Sequence, residues 1–230
     1  MQTRVNETVA LLKQAEREYA PNLVFASSFG AEDVVLIDLI SKHTPAINIV
    51  TLDTGRLPQQ TYDVMDACRD KYGVKIDVYF PDTAEVEAMV RRSGLNLFYQ
   101  SVENRKHCCE IRKIHPLKRA LAGKKAWITG VRREQAHSRQ SMAAVEDDAH
   151  FGIRKFNPLI EWNEAEVWSY IREHDVPYNA LHDQHYPSIG CTCCTRSVTV
   201  GEDPRSGRWW WEHEDGVAEC GLHASPIKKG

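Results

Sequence analysis

HCCEIRK places Cys108 and Cys109 side by side, and far downstream GCTCCTR supplies Cys191, Cys193 and Cys194. Neighbouring thiols strain when they bond to one another. An adjacent pair joined to a distant C-x-x-C, here Cys191 and Cys194, instead offers four thiolates, the number that zinc or an iron–sulfur cluster takes. Cys193 is then surplus to the set. Cys68, in YDVMDACRDKYG, reads as a small buried apolar side chain. Cys220 is different again: it lies in AECGLHA, two residues after Ala218 and close to His223, on a run too short and polar to pack, so its placement points to chemistry.

A second group of segments suits an anionic ligand. SSFGAED, Ser27 to Asp33, carries small hydroxyls and a glycine where a strand-like run gives way to a helical one, so backbone N–H groups and a helix dipole face any anion there. The Lys and Ser/Thr of a Walker loop are missing. LDTGRLPQQTY sets Asp53, Thr54 and Gly55 around a nucleotide, with Arg56 near a phosphate. GVRREQAHSRQ offers Arg132, Arg133 and Arg139 for bidentate oxyanion contacts. GEDPRSGRWWWEHEDG puts Arg205 and Arg208 before three tryptophans, which reads equally as a hairpin with an aromatic face or as a clamp on a substrate anion. His107, His115 and His137 read as solvated.

What must position these groups is a series of short apolar or β-branched runs: NLVFAS, INIVTLD, KIDVYF and AWITGV, separated by helical patterns. The alternation predicts parallel strands with crossover helices in an open, doubly wound, mainly parallel α/β sheet, with ligands beyond the strands' carboxyl ends. IRKFNPLIEWNEAEVWSYI then reads as a strand-like piece followed by a Trp-rich amphipathic helix. The 230 residues, 42% hydrophobic, suffice for one large domain; the expected division is a domain over 1–212 and a flexible tail over 213–230 carrying Cys220. A net charge of -3 gives no global basic field and argues against non-specific nucleic-acid binding. No apolar run is long enough for a membrane, the amino-terminal stretch reads as a charged amphipathic helix, and clustered cysteines without a secretion signal fit a reducing, cytoplasmic setting.

In order along the chain, SSFGAED, TLDTGRLPQQTY, CCEIRKIHPL, GVRREQAHSR, NPLIEW, VPYNALHD, YPSIGCTCCTR, GEDPRSGRWWW and ECGLH resemble the assimilatory adenylyl-sulfate reductases, the cluster-bearing branch of the phosphoadenylyl-sulfate reductase family. The resemblance implies a fold similar to the adenine-nucleotide α-hydrolases, with SSFGAED as a modified pyrophosphatase loop. It implies one 4Fe–4S cluster on Cys108, Cys109, Cys191 and Cys194, with Lys113 between cluster and substrate. Arg132, Arg205 and Arg208 would bind the phosphosulfate. The remaining nucleotide contacts would come from Ser27, Ser28, Phe29, Gly30, Asp33, Leu52, Asp53, Thr54, Gly55, Arg56, Gly130, Gln135 and His223. Cys193 departs from the pattern, which usually has proline there.

Reduction of an activated sulfate takes two electrons; one such cluster usually carries a single electron, and no flavin or nicotinamide fingerprint is present, so thiol chemistry is the simpler route. The expected reaction is attack of Cys220 on adenosine 5'-phosphosulfate with AMP leaving, followed by release of sulfite by thioredoxin or a similar dithiol protein acting in trans, since the chain carries no further redox domain after Cys220. A homo-oligomer is compatible with this. Alternatives are the 3'-phosphorylated nucleotide or dual use, an ATP-dependent ligase or thiolating enzyme on the same fold, and a non-catalytic metal-binding module.

Overall fold

The computed structural model describes residues 1–136 and 139–212. Six strands form one sheet: β1 (Leu23–Ser27), β2 (Asn48–Leu52), β3 (Ile76–Tyr79), β4 (Ala126–Ile128), β5 (Val145–Asp148) and β6 (Ile153–Phe156). Their order is β3-β2-β1-β4-β6-β5, parallel except for β5, which runs antiparallel to β6. The chain moves outward from β1 through β2 to β3, then returns to the other side of β1 for β4. The strand order therefore reverses between β1 and β4, and in such sheets a crevice lies outside the carboxyl ends of the strands at this point.

The central strands are apolar because both faces are covered: Phe25, paired with Ile49 and Ile128, is fully buried. On one face lie α1 (Gln2–Tyr19), α2 (Ala31–His43), α3 (Gln59–Tyr72) and α7 (Glu164–Glu173). Helix α2 is buried from Val34 through Ile40 and packs against α1, α3 and α7. Cys68 on α3 sits in this core, where burial pushes its thiol up to about 12. Helix α7 begins at a reciprocal cap, Asn163 Oδ1 accepting from Glu166 N–H and Glu166 returning the bond to Asn163 N–H, both at 2.8 Å. NPLIEW earns its place by bridging: Asn157 accepts from the Thr129 hydroxyl at 2.6 Å, and the Trp162 indole donates to Thr8 of α1 at 3.0 Å.

The other part of the chain builds a second, smaller core. Helix α4 (Thr83–Ser93), a 3-10 turn at Leu97–Tyr99 and the rod formed by α5 (Val102–Cys109), a π-helical turn (Glu110–Ile114) and α6 (His115–Leu121) surround the cysteines. The wide π turn changes the helical phase just after the cysteine pair. It buries Ile111 and Arg112 and leaves Lys113 facing the crevice.

The expected parallel strands and the strand-then-helix after residue 152 are present. β5 is an addition: VEDD has no apolar alternation, since it is an edge strand with solvent beside it, and nothing in its composition announces pairing. Among the described residues no helix is long and apolar enough to cross a membrane.

One buried carboxylate locks α2 to α7. Asp38 is fully buried, its Oδ2 accepting from the Tyr170 hydroxyl at 2.6 Å and from Lys42 at 2.7 Å. Burial beside Asp38 pushes the Tyr170 and Tyr72 phenols above their ordinary range. Tyr170→Phe is expected to lower unfolding free energy by about 1–3 kcal/mol, the cost of leaving a buried acceptor under-satisfied. Urea denaturation of the two proteins checks this.

Candidate active site

The loop after β1 is held by the carboxylate that follows it. Asp33, in the first turn of α2, accepts from Ser28 N–H at 2.5 Å and from the Ser28 hydroxyl at 2.7 Å. Phe29 takes a left-handed conformation at φ 59°, rare for a bulky residue and costing about 1–2 kcal/mol. Its buried ring and an N–H bond to Ser27 Oγ at 3.1 Å hold it there. Phe29 is thus an anchor whose side chain points into the core, while Ser27, Ser28 and Gly30 face the crevice. From the other side comes the loop after β4. A Cβ at Gly130 would overlap Asp33 Oδ1, so only glycine lets the two loops touch. Burial pushes the Asp33 carboxyl up to about 6, despite the two bonds from Ser28.

The crevice is a cavity of about 490 Å³ at the carboxyl ends of β1, β2 and β4. Ser27, Ser28, Gly30, Asp33, Leu52, Thr54, Gly130, Arg132, Gln135, Lys113, Arg205 and Arg208 all line it, so segments scattered across the sequence meet in one place. Arg132 is buried, with its guanidinium met by Glu32 at 2.7 Å and Glu134 at 3.1 Å. Arg208 enters from the far wall, donating to Ser188 Oγ at 3.2 Å and stacking on Trp209 at 4.7 Å. Its guanidinium crosses Gly190 so closely that any Cβ there would collide with it. Arg139, which also lines the cavity, donates to Gln135.

Three residues of LDTGR turn away from the cavity. Asp53 accepts from Gly55 N–H at 2.7 Å and from the Tyr62 hydroxyl at 3.0 Å, which shapes the turn. Arg56 reaches the cysteines: it donates to Cys193 Sγ at 3.7 Å and to Leu95 C=O at 2.6 Å, above the Phe98 ring. Arg133 pairs with Glu161 at 2.5 Å.

Cys108, Cys109, Cys191 and Cys194 are each at most 9% exposed, and none is in a disulfide. Cys108, Cys191 and Cys194 share an apolar shell with Met89, Leu97, Phe98, Ile111 and Trp209, and Cys193 packs against it. The Thr54 hydroxyl lies 3.2 Å from Cys191 Sγ. Burial raises the Cys108 thiol, opposed chiefly by the Arg112 cation. In the adjacent pair, hydrogen bonds from Cys194 and Arg56 favour ionisation of Cys193, while that same bond to Cys193 and burial hold Cys194 neutral. The donor set, sulfur alone in an apolar shell edged by arginines and a hydroxyl, has the chemistry of a site for a soft, multi-iron group. Among the described residues no three or more His, Cys, Asp or Glu side chains are arranged as ligands of one metal ion.

Several participants were not read from the sequence. Arg112 donates to Thr54 C=O at 2.6 Å from a buried position. Arg105 makes a two-pronged pair with Glu212, both bonds 2.7 Å, beneath Trp209. They stand one helical turn before Cys108 and one after Cys109, a spacing that marks them as neighbours of the thiols. His182, on the cavity wall against Trp168, has its pKa depressed by burial. Cys220 and His223 lie outside the described residues, as does His137.

Asp33 supplies a pH test. An acid whose folded pKa is raised destabilises the fold once ionised, so the penalty is absent below about 4 and complete above about 6. The stability of wild type relative to Asp33→Asn should therefore fall as pH rises from about 4 to about 6, by up to about 1.4 kcal/mol per pH unit, and level off above that. Thermal unfolding across that range reads the slope, and a flat difference would refute the assignment.

The chain is similar over residues 22–197 to the phosphoadenosine phosphosulfate reductase domain. A protein of Allochromatium vinosum named adenosine 5'-phosphosulfate reductase is 51% identical over 96% of this chain and 86% of its own length. One of the same name from Burkholderia cepacia is 47% identical over 97% and 89%. Among solved structures, the phosphoadenylyl-sulfate reductase of Candida auris in a phosphate complex superposes with a TM-score of 0.71, at 32% identity, covering 83% of this chain and 90% of that one. The FMN adenylyltransferase of Candida glabrata with ATP, at 16% identity and a TM-score of 0.59 over 83% of this chain and 61% of its own, shares the fold. With a loop, a crevice and a cysteine layer assembled as described and the family domain spanning most of its length, the chain belongs to the phosphoadenosine phosphosulfate reductase family.

Proposed function

We propose that this protein reduces adenosine 5'-phosphosulfate to sulfite and AMP in sulfate assimilation, by way of an S-sulfocysteine on Cys220. The observation that carries the reading is one cavity lined by the Ser27–Asp33 loop, Lys113, Arg205 and Arg208, with buried thiols on the same helical rod as Lys113. The names of the relatives at 47 to 51% identity support the unphosphorylated nucleotide as substrate.

The adenosine portion lies against the carboxyl ends of β1 and β2, where Leu52, Ser27 and Gly130 offer backbone and apolar contact. Lys113, Arg205 and Arg208 meet the phosphosulfate and offset the repulsion between an incoming thiolate and an anionic sulfonyl group. The Cys220 thiolate forms a bond to sulfur as the sulfur–oxygen bond to phosphate breaks, and AMP departs with the electron pair while the cations hold its charge. A thiolate of a dithiol protein such as thioredoxin then attacks Cys220 Sγ and expels sulfite. Its second thiol resolves the mixed disulfide, so the dithiol supplies both electrons. His223 helps to position Cys220, and the residues from 213 onward form the segment that brings both to the cavity. The setting is the cytoplasm.

Cys108, Cys109, Cys191 and Cys194 would hold a 4Fe–4S cluster. When bound it supplies a fixed charge distribution next to Lys113 rather than the two electrons of the reaction. The protein's own contribution would come from Arg56, Arg105 and Arg112, which bring positive charge to the cysteines, and from Thr54, whose hydroxyl faces Cys191.

Anaerobically purified protein incubated with adenosine 5'-phosphosulfate and no reductant should gain the mass of one SO3 group on the Cys220 peptide, and thioredoxin should remove it. Cys220→Ser should gain none. A parallel incubation with the 3'-phosphorylated nucleotide ranks the two substrates, and absence of an adduct with both would refute the covalent route. Gly190→Ala should displace Arg208 and lower kcat/KM by about tenfold to a hundredfold, as small misplacements of positioning groups do. Its melting temperature should stay near that of wild type.

A further inference from the structure

Cys108, Cys191 and Cys194 share one buried apolar cluster with Cys193 packed against it, and Cys109 adjoins Cys108 and acts on Cys194, so five cysteines gather where a four-iron cluster needs four, while the sixth described one, Cys68, is enclosed in the main core on α3. We propose that Cys193 is a fifth ligating thiol of this site, able to take over the iron held by Cys194. The inference rests on the cluster reading given above and extends it to a residue outside that set of four.

Geometry carries it. Cys193 Sγ and Cys194 Sγ are 3.8 Å apart, far beyond the roughly 2.05 Å of a disulfide, so the two are separate thiols presented side by side. Both come from the 3-10 turn Thr192–Cys194, whose backbone is fixed on all sides. Cys194 N–H donates to Cys191 C=O at 2.9 Å, Thr192 N–H to Arg56 C=O at 2.9 Å, and the Tyr99 hydroxyl to Cys193 C=O at 2.9 Å. With the backbone held, exchanging one sulfur for the other takes only side-chain rotation. Cys193 already packs against the apolar shell of Cys108, Cys191 and Cys194. Its sulfur also has an outer donor: Arg56 Nη1 points to it as the Thr54 hydroxyl points to Cys191. Partners of this kind orient ligands and tune metal sites. A solvated surplus thiol would need neither the shell nor the donor.

The exchange balances without any redox partner. An iron–sulfur bond to Cys193 forms as that to Cys194 breaks, and Cys194 takes up the proton that Cys193 gives up. No electron is transferred.

The test compares wild type, Cys193→Ala, Cys194→Ala and the double variant, all purified anaerobically. Iron and acid-labile sulfide are measured per chain, and native labelling with N-ethylmaleimide is mapped by peptide mass. Each single variant should keep most of the wild-type iron, whereas the double variant should lose it about tenfold or more. Cys193 should label in wild type and become protected in Cys194→Ala. Should alanine at 194 prevent folding, as judged by circular dichroism, the near-isosteric Cys194→Ser carries the same labelling test. A Cys194 variant as iron-poor as the double variant, or one in which Cys193 labels as fast as before, overturns the proposal. So does loss of iron in Cys193→Ala alone, which would make Cys193 the ordinary ligand. Wild type without iron and sulfide would instead refute the cluster reading itself, a distinct failure.

Discussion

Everything at the active end of this sheet depends on one carboxylate in a confined place. Asp33 is wedged between Ser28, which gives it two hydrogen bonds, and Gly130, which offers it no side chain. That contact joins the loop after β1 to the loop after β4 at the point where strand order reverses. Without it, Ser28 loses the acceptor of both its backbone and its hydroxyl hydrogen bonds, just before the left-handed backbone of Phe29. The raised affinity of Asp33 for a proton is the electrostatic record of that confinement.

The second organising contact links the cavity to the thiols. Arg208 crosses Gly190, and Gly190 immediately precedes Cys191, so the position of a cavity-lining cation and that of a cysteine-bearing turn are set by the same few atoms. Gly190 N–H donates to Thr195 Oγ1 at 3.1 Å, and that hydroxyl donates onward to Cys191 C=O at 2.9 Å, closing the turn on itself. The π-helical turn does the same from the opposite wall, with Lys113 facing the cavity and Cys109 just before it in the chain. The two walls are therefore coupled through covalent neighbours, with no long-range relay required.

Much of this was legible in the sequence because the alternating apolar runs encode strands covered on both faces, and strand ends locate a crevice. Cys108, Cys109, Cys191 and Cys194 stand out by their spacing and Cys68 by its helical surroundings, and all five are buried. What escaped was governed by side-chain reach. Arg56 reads as a phosphate contact from its place after LDTG, yet its long stem carries the guanidinium to Leu95 and Cys193. Arg105 and Arg112 are charged residues on a rod of low apolar periodicity, where charge suggests exposure, yet both are buried, Arg105 before the π turn and Arg112 within it. β5 is polar because it is an edge, which removes the alternation that betrays a strand.

The buried pairing of Arg105 with Glu212 pins the last of the described residues to the helix that carries Cys108 and Cys109. Cys220 follows Glu212 by eight residues, a span that even fully stretched stays within about 30 Å. In the covalent route proposed above, a thiol on so short a tether would react in a first-order step, and the rate of sulfur transfer would not depend on how dilute the protein is.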